Sequence, residues 1–452
     1  MTLSLYDTAT RQAELVKSNN GLVSIYCCGP TVYRDAHVGN LRTFLLADLV
    51  RRTLEISGNR VELVQNITDV GHMSDDYQEQ DKMLAQANTE KIDPFTVARK
   101  YEASFHEDLS RLNIQPANKY PRASESISLM QDLIQKLIDR DFAYVGEDKN
   151  VYFNSRSFES YGAISGNHLD SLKPGHRFDY TEQGAKRFHA DWALWKSAGE
   201  RREMIWDSPW GQGFPGWHIE CSAMSLSLLP TPINIHIGGI DLRFPHHENE
   251  RAQSNAIIGG EAVDLWLHGE HLLFEGRKMS KSSNNVVLVQ DLINKGFDPL
   301  SLRFCFLENR YRSQMDLTWD AIAAASTTLK RWRQKLIKWE INYDFYDAEL
   351  IALIENDLDT PKAMQYLREI EKDDSNPNRG SIFKFADKIL GLDLDRAPLL
   401  APLSLHQQDL LAQRVDARNS KNWQESDRIR VLLEASGLEI MDSASGQTWS
   451  WR

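Results

Sequence analysis

Three short segments of this chain carry residues whose chemistry calls for a partner: the adjacent thiols in "LVSIYCCGP" (22–30), the cysteine of "GWHIECSAMS" (216–225) and the histidine pair of "FPHHENE" (244–250). His246 and Glu250 stand four apart, which on a helix puts an imidazole and a carboxylate on one face, as a metal wants them. His247 reaches the same carboxylate at a spacing of three, and spacing alone does not choose between the two histidines. Together Cys28, Cys221, a histidine and Glu250 make a four-donor set of sulfur, nitrogen and oxygen, the composition that holds zinc. Cysteines at 27, 28, 221 and 305 are too few and too scattered for a disulfide framework. Burial as small hydrophobes is the alternative to metal binding.

A second kind of chemistry is phosphate binding. "GPTVYRDAHVGN" (29–40) sets Gly29, Pro30, His37 and Gly39 before a helical pattern, where free backbone N–H groups and the helix dipole favour an anion. "GRKMSKSSNN" (276–285) packs three cations and three serines around a methionine, a loop suited to gripping a polyphosphate. Taken alone, each motif also reads as an ordinary solvated turn.

The elements that must position these groups follow from periodicity. Residues 22–27 and 60–67 read as strands and Val38 to about Leu54 as the helix between them, a βαβ unit. Residues 121–210 break that pattern with a helix near 125–140, a hairpin in "FAYVGEDKNVYFNS" and a polar, Gly-rich stretch, and so read as an insertion. The nucleotide-type pattern resumes with a strand at 233–239 and a helix whose first turn suits Pro245. From 321 onward the chain reads as helical, with a basic face at Lys330, Arg331, Arg333, Lys335 and Lys338 beside Trp332 and Trp339. That face is either solvated or a contact for a nucleic-acid backbone. The expected fold is α/β, with a Rossmann-like parallel sheet split by an insertion. Its parts are 1–120 and 211–320 as catalytic halves, 121–210 as insertion, 321–400 as helical bundle and 401–452 as a small last domain. With 452 residues, 41% hydrophobic and 26% charged, the chain has the composition of an ordinary globular protein, and its net charge of -12 argues against general polyanion binding. A nucleic-acid partner would need local basic surface. No leader pattern and no apolar run of membrane-spanning length is legible, so the expected setting is cytoplasmic.

In order and spacing, "CGPTVY" (28–33), "RTF" (42–44), "VQNITDV" (64–70), "ALWK" (193–196), "GWHIECSAMS", "DLRFPHHENE" (241–250), "KMSKS" (278–282) and "ARNSKNWQESDRIR" (417–430) resemble the class I aminoacyl-tRNA synthetases, specifically the cysteine-charging ones. The resemblance implies one zinc per chain on Cys28, Cys221, His246 and Glu250, reading the substrate thiolate, with Cys27 a packed strand residue. It implies ATP binding by Gly29, His37, Gly39, Asn40 and Lys281, and catalysis by His37, Lys278 and Lys281. Magnesium is expected with ATP. Thr68, Trp217 and Asp241 would line the cysteine pocket, and Arg418, Trp423, Asp427 and Asp442 would read an anticodon. The implied activity is ATP-dependent ligation of L-cysteine to tRNA(Cys) through a cysteinyl-adenylate, by a monomer with no membrane partner. A departure stands at Asn40, where the family tetrad usually ends in a second histidine. An asparagine donates a neutral hydrogen bond and carries no charge. His72 as its substitute is a weaker reading than a solvated loop histidine. Two other classes fit parts of the pattern: a small-molecule ligase joining cysteine to an amine, which should lack the tail at 405–452, and a non-catalytic tRNA-binding relative, favoured only by Asn40.

Overall fold

A computed structural model describes residues 3–71, 81–172, 185–279, 285–396, 403–443 and 446–451. Lys281 and His72 lie outside the described residues. The chain divides into two units, Met1–Asp395 and Arg396–Arg452.

The large unit is organised by a four-stranded, fully parallel sheet. Its strands are β1 (Leu22–Cys27), β2 (Arg60–Gln65), β3 (Ile233–Gly239) and β4 (Val263–Gly269), in the spatial order β4-β3-β1-β2. Register is set by pairs such as Cys27 with Gln65 on one side and with Ile237 on the other. Helix α1 (Val38–Ile56) joins β1 to β2 and buries Leu41, Leu45, Leu46, Val50 and Leu54 against the sheet. The chain then leaves and returns on the opposite side of β1 through α2 (Trp217–Leu228), β3 and α3 (Glu248–Ile258). The strand order therefore reverses between β1 and β3, and the crevice at their carboxyl ends is where open α/β sheets bind ligands.

Two buried arginines join distant segments to this sheet. Arg42, from the "RTF" motif on α1, donates to the carbonyls of Glu270, His271, Arg310 and Ser313 at 2.9 to 3.2 Å. Burial lowers its pKa to about 10, so it remains a cation at neutral pH. Arg303 is wholly buried and pairs with the equally buried Asp48 of α1 at 2.6 Å while donating to the carbonyls of Leu112, Asn113 and Leu390.

The insertion, expected over 121–210, holds the expected helix, Ile127–Asp139, and the strands Ala143–Val145, Val151–Phe153 and Trp192–Ser197 of an antiparallel sheet whose fourth strand, Gly213–Pro215, lies past the expected bound. It is tied to α3 by Glu248, whose carboxylate accepts from the backbone N–H groups of Gly162, Ile164 and Ser165 at 2.8 to 3.1 Å. One expected boundary moves. The helix after β3 starts at Glu248, because Phe244 is extended and Arg243–His247 form an irregular turn. The basic helix is Trp319–Leu336, and three of its cations are paired: Arg331 and Lys335 with Glu371, and Arg333 with Asp298. Trp332 is buried and donates to Glu371 at 2.8 Å.

Asp48→Ala would leave the Arg303 guanidinium buried without a carboxylate. Unfolding of the large unit in denaturant is expected to show a loss of about 3–5 kcal/mol, and a loss below about 1 kcal/mol would mean that the carbonyls alone satisfy Arg303.

Candidate active site and metal centre

Cys28 follows the last residue of β1, and its N–H donates to Ile237 on β3 at 3.0 Å, which carries the chain across the switch point. Gly29 must follow. A β-carbon there would stand 1.5 Å from the Asn66 carbonyl oxygen, whereas the glycine N–H donates to Asn66 Oδ1 at 2.8 Å. From Cys28 a cavity of about 360 Å³ runs past Trp217 and Asp241 to His37, Gly39 and Asn40 at the start of α1 and to Lys278.

Cys28, which lines this cavity, is buried together with Cys221, His246 and Glu250, and the donor atoms of the four lie within 4.8 Å of one another. The two sulfurs are 3.8 Å apart, Cys28 Sγ is 3.6 Å from Glu250 Oε1, and that oxygen is 3.0 Å from His246 Nε2. A tetrahedral zinc with ordinary bond lengths needs edges of about 3.8 Å between sulfurs and about 3.6 Å between sulfur and oxygen. The donor set fits the ion that the motifs imply. Burial pushes the Cys28 thiol up, and the Cys221 and Glu250 groups push it further; burial also raises the Glu250 carboxyl. A divalent cation reverses that balance, since it binds the deprotonated forms. Between the sequence's two candidate histidines, His246 is the one grouped with both thiols, and Trp217 lies against its ring at 4.3 Å. His247 also points at the cluster, with Nε2 3.3 Å from Cys28 Sγ.

At the other end His37 is the N-cap of α1. Its Nδ1 accepts the Asn40 N–H at 3.3 Å, and the Asn40 side-chain oxygen accepts the His37 N–H at 3.2 Å, a reciprocal capping box. Asn40 thus has a structural role that a tetrad comparison does not reveal. Burial and the Arg34 guanidinium hold the His37 imidazole below its usual range, against the opposing charge of Asp241. His37 is then neutral, with Nδ1 occupied as an acceptor and Nε2–H left to donate. A β-carbon at Gly39 would crowd the His37 ring at 3.1 Å and Met279 at 2.8 Å. Lys278 is exposed at the mouth. Thr68 stands apart from the cavity lining. It is buried behind the Cys28 turn, where its hydroxyl donates to Glu220 at 3.2 Å and accepts from Asn66 at 3.1 Å.

Three imidazoles at the cluster escaped the sequence reading. His236 Nε2 lies 3.4 Å from Cys28 Sγ, His218 Nδ1 lies 3.0 Å from His246 Nδ1, and His268 Nε2 lies 2.8 Å from His247 Nδ1. A buried-strand histidine in the middle of β3 and another near the end of β4, both mainly apolar strands, was the available signal for His236 and His268.

The small unit pairs α4 (Leu405–Asn419) and α5 (Trp423–Ala435) with a hairpin of β5 (Leu438–Ser443) and β6 (Gly446–Trp451). Its core is Leu410, Leu411, Ile429, Leu433, Leu438 and Ile440. Asp442 accepts from the buried Arg414 through both oxygens at 2.9 Å and pairs with Arg418 at 3.0 Å. The Arg418 guanidinium lies 5.8 Å from the ring centroid of Trp423, which is 56% exposed. Asp427 is exposed on α5. Arg418, Trp423 and Asp442 are thus joined by direct contacts, with an aromatic face left open.

Residues 14–327 match the family described as the tRNA synthetases class I (C) catalytic domain, and residues 401–449 match the cysteinyl-tRNA ligase anticodon binding domain. The chain is 39% identical to the cysteine–tRNA ligase of Thermus thermophilus and 38% identical to that of Chlorobaculum tepidum, each alignment covering 99% of both chains. The chain belongs to the cysteine–tRNA ligase family. Among solved structures, Mycobacterium tuberculosis methionyl-tRNA synthetase in complex with methionyl-adenylate shares the fold, with a TM-score of 0.56 at 14% identity over 82% of this chain and 90% of that one. Both parts of a cysteine–tRNA ligase are therefore present, the class I catalytic domain and the anticodon-binding domain.

The cap at the start of α1 separates two roles of Asn40. Asn40→Ala should cost about 0.5–2 kcal/mol in thermal unfolding. Asn40→Asp keeps an acceptor for the His37 N–H and should stay within about 0.5 kcal/mol of the parent, yet raise the ATP concentration needed for half-saturation about tenfold or more through repulsion of phosphate. Equal ATP use by Asn40→Asp and the parent would mean that this position does not face the phosphates.

Proposed function

We infer that the protein ligates L-cysteine to tRNA(Cys) in two steps, forming cysteinyl-adenylate from ATP and then transferring the cysteinyl group to the terminal ribose. The observation that carries this reading is the buried Cys28, Cys221, His246, Glu250 set, which meets through Cys28 a cavity that runs to the N-terminus of α1. Cysteine and serine differ by one atom, which a hydrophobic pocket separates poorly. A zinc ion on these four residues would supply that discrimination, since a borderline-soft metal prefers thiolate to hydroxyl.

The chain's own residues do the rest by position and charge. Trp217, packed on His246, walls the thiol end, and Asp241, exposed in the cavity, is suited to the substrate's ammonium or ribose hydroxyls. Thr68 acts from behind, fixing Glu220 and Asn66, and Asn66 in turn fixes Gly29. His37 Nε2–H and the positive end of α1 face the phosphates with Gly29, Gly39 and Asn40, while Lys278 and Lys281 close on the charge that develops as pyrophosphate leaves. ATP enters as its magnesium complex. Arg418, Trp423, Asp427 and Asp442 read the anticodon, with Trp423 as stacking platform and Asp442 holding Arg418 in place. The proposed division of labour is 1–120 and 211–320 for activation, 121–210 as connective insertion, 321–400 as helical bundle and 401–452 for the anticodon, in a cytoplasmic monomer.

Cysteine-dependent exchange of pyrophosphate into ATP is the direct test, with serine as control. Exchange should depend on cysteine by at least about a hundredfold over serine and vanish on zinc chelation; equal rates with both amino acids would overturn the thiolate reading. Lys281→Ala should slow exchange by roughly a hundredfold with little change in cysteine affinity. Shortening the chain to end near residue 400 should preserve exchange but sharply weaken charging of tRNA, and Trp423→Ala alone should weaken charging by about 1–3 kcal/mol without touching exchange. Undiminished charging by the shortened, folded chain would remove the anticodon role from the small unit. Exchange without any charging by the intact chain would favour the small-molecule ligase.

A further inference from the structure

The substrate cavity runs from Cys28 to the start of α1. A cysteine and an ATP laid along it, with the thiol towards Cys28 and the triphosphate towards α1, bring two anions together part-way. These are the cysteine carboxylate and the α-phosphate that it attacks. Like charges at contact repel strongly where water is excluded, and a neutral His37 does not offset that repulsion. Among the described residues the lining carries three permanent cations: Lys278, exposed at the mouth, and Arg34 and Lys82. The last two share one aromatic ring. The Arg34 guanidinium lies 5.2 Å and the Lys82 ammonium 5.7 Å from the centre of the Tyr33 ring, within the range at which an aromatic face holds a cation. Arg34 also acts on the His37 imidazole, which sets it towards the phosphate end.

We propose that Lys82 and Arg34 receive the substrate carboxylate where it meets the α-phosphate, and that Arg201 of the insertion is the positioning residue that holds Lys82 there through Asp81. The inference rests on this cavity being the cysteine-activation site proposed above. In that step a carboxylate oxygen bonds to the α-phosphorus as the bond to the pyrophosphate oxygen breaks, and the negative charge of the carboxylate leaves with pyrophosphate. Two cations beside the carboxylate let it approach the phosphate, and they act before that charge moves on to the lysines at the mouth.

The placement of Lys82 is built from outside the cavity. Lys82 is the first residue of the helix Lys82–Glu90, whose N-cap is Asp81. Asp81 Oδ1 accepts the N–H groups of Met83 and Leu84 at 2.8 and 3.2 Å, which fixes the first turn. Its other oxygen pairs with Arg201 Nη1 at 2.8 Å, and the two side chains are only 6% and 10% exposed. Arg201 is itself held on two sides: Nε donates to the Glu203 carbonyl at 2.8 Å, and the guanidinium lies over the buried Phe214 ring at 4.1 Å. Gly71 closes a third side. A β-carbon there would stand 1.7 Å from Asp81 Oδ2 and 2.5 Å from Arg201 Nη2, so the chain leaving β2 lies directly against the ion pair. The helix start cannot shift without parting two buried charges, and a helix end that would otherwise fray is anchored one residue before Lys82.

Equilibrium binding of L-cysteine and of L-cysteinol, which carries a hydroxymethyl group in place of the carboxylate, tests this on the full chain, with pyrophosphate exchange measured alongside. Each variant is checked for folding and for zinc content. Lys82→Ala should weaken cysteine about tenfold or more and slow exchange, yet bind cysteinol as the parent does; Lys82→Arg should recover part of both losses. Arg34→Gln should show the same selective loss, and parental cysteine binding by it would remove Arg34 from the contact. A Lys82→Ala chain that loses cysteine and cysteinol equally, or loses neither, overturns the anion contact. Arg201→Ala should copy Lys82→Ala, Arg201→Lys should recover part, and combining Arg201→Ala with Lys82→Ala should be no worse than Lys82→Ala alone, since both remove one contact. Additive losses would overturn the positioning role. If Arg201→Ala does not fold, Asp81→Asn decides: it keeps the cap oxygen but loses the ion pair, and unchanged cysteine binding by it overturns the role of the pair. A parent that does not prefer cysteine to serine overturns the proposed function and this inference together, whereas a cysteine-selective parent matched by Lys82→Ala overturns this inference alone.

Discussion

Two thiols, a carboxylate and imidazoles cannot be packed together out of water unless something positive is placed among them or every group stays neutral. That constraint governs the large unit. Cys28 is brought in by the end of β1, Cys221 by α2, and His246 and Glu250 by the turn and first turn of α3, so three segments far apart in sequence must meet within 4.8 Å. Each segment is held by contacts outside the cluster. β1 is locked between β2 and β3, and α3 is fixed by Glu248, whose carboxylate is filled by three N–H groups of the insertion. The interruption between β2 and α2 is therefore part of the site's support, because it fixes the helix that carries Glu250 and that the His246 turn leads into.

The same economy holds at the phosphate end. A glycine turn, a histidine cap and an asparagine that returns the cap's hydrogen bond set the N-terminus of α1 at a cavity that begins at Cys28. Arg42 on the same helix fixes the backbone at 270–271 and 310–313, and Arg303 ties the segment near 390 to Asp48. Both are buried cations surrounded by carbonyls, a costly element to place in a core and one that specifies partners closely. Amino-acid selection, nucleotide positioning and the attachment of later helices thus all depend on the sheet and on α1.

The small unit solves a different problem. Among the described residues it has its own core of six buried apolar side chains, and the buried Arg414 is neutralised by Asp442 rather than left for a ligand. What it leaves exposed is an aromatic face with a guanidinium beside it, which suits an unpaired base more than a duplex. Recognition placed on a separately cored unit can change without disturbing the metal centre.

Much of this was legible in the chain itself. Alternation and helical spacing located β1, α1, β2 and β3, and residue types at fixed spacing marked Cys28, Cys221, Glu250 and one of two histidines as a possible donor set and residues 29–40 as a possible anion turn; the structure groups His246 with both thiols. These are local properties: a strand, a cap or a pair of donors four apart is written in neighbouring residues. Tertiary structure alone decided the rest. It brought His236 to Cys28 and His268 to His247 from mainly apolar strands, where a lone histidine reads as core. It paired three cations of the basic helix with Glu371 and Asp298, and it moved the start of α3 past Pro245. Such outcomes depend on which side chains meet across the sheet and between helices, and a separation of some two hundred residues leaves no periodicity to read.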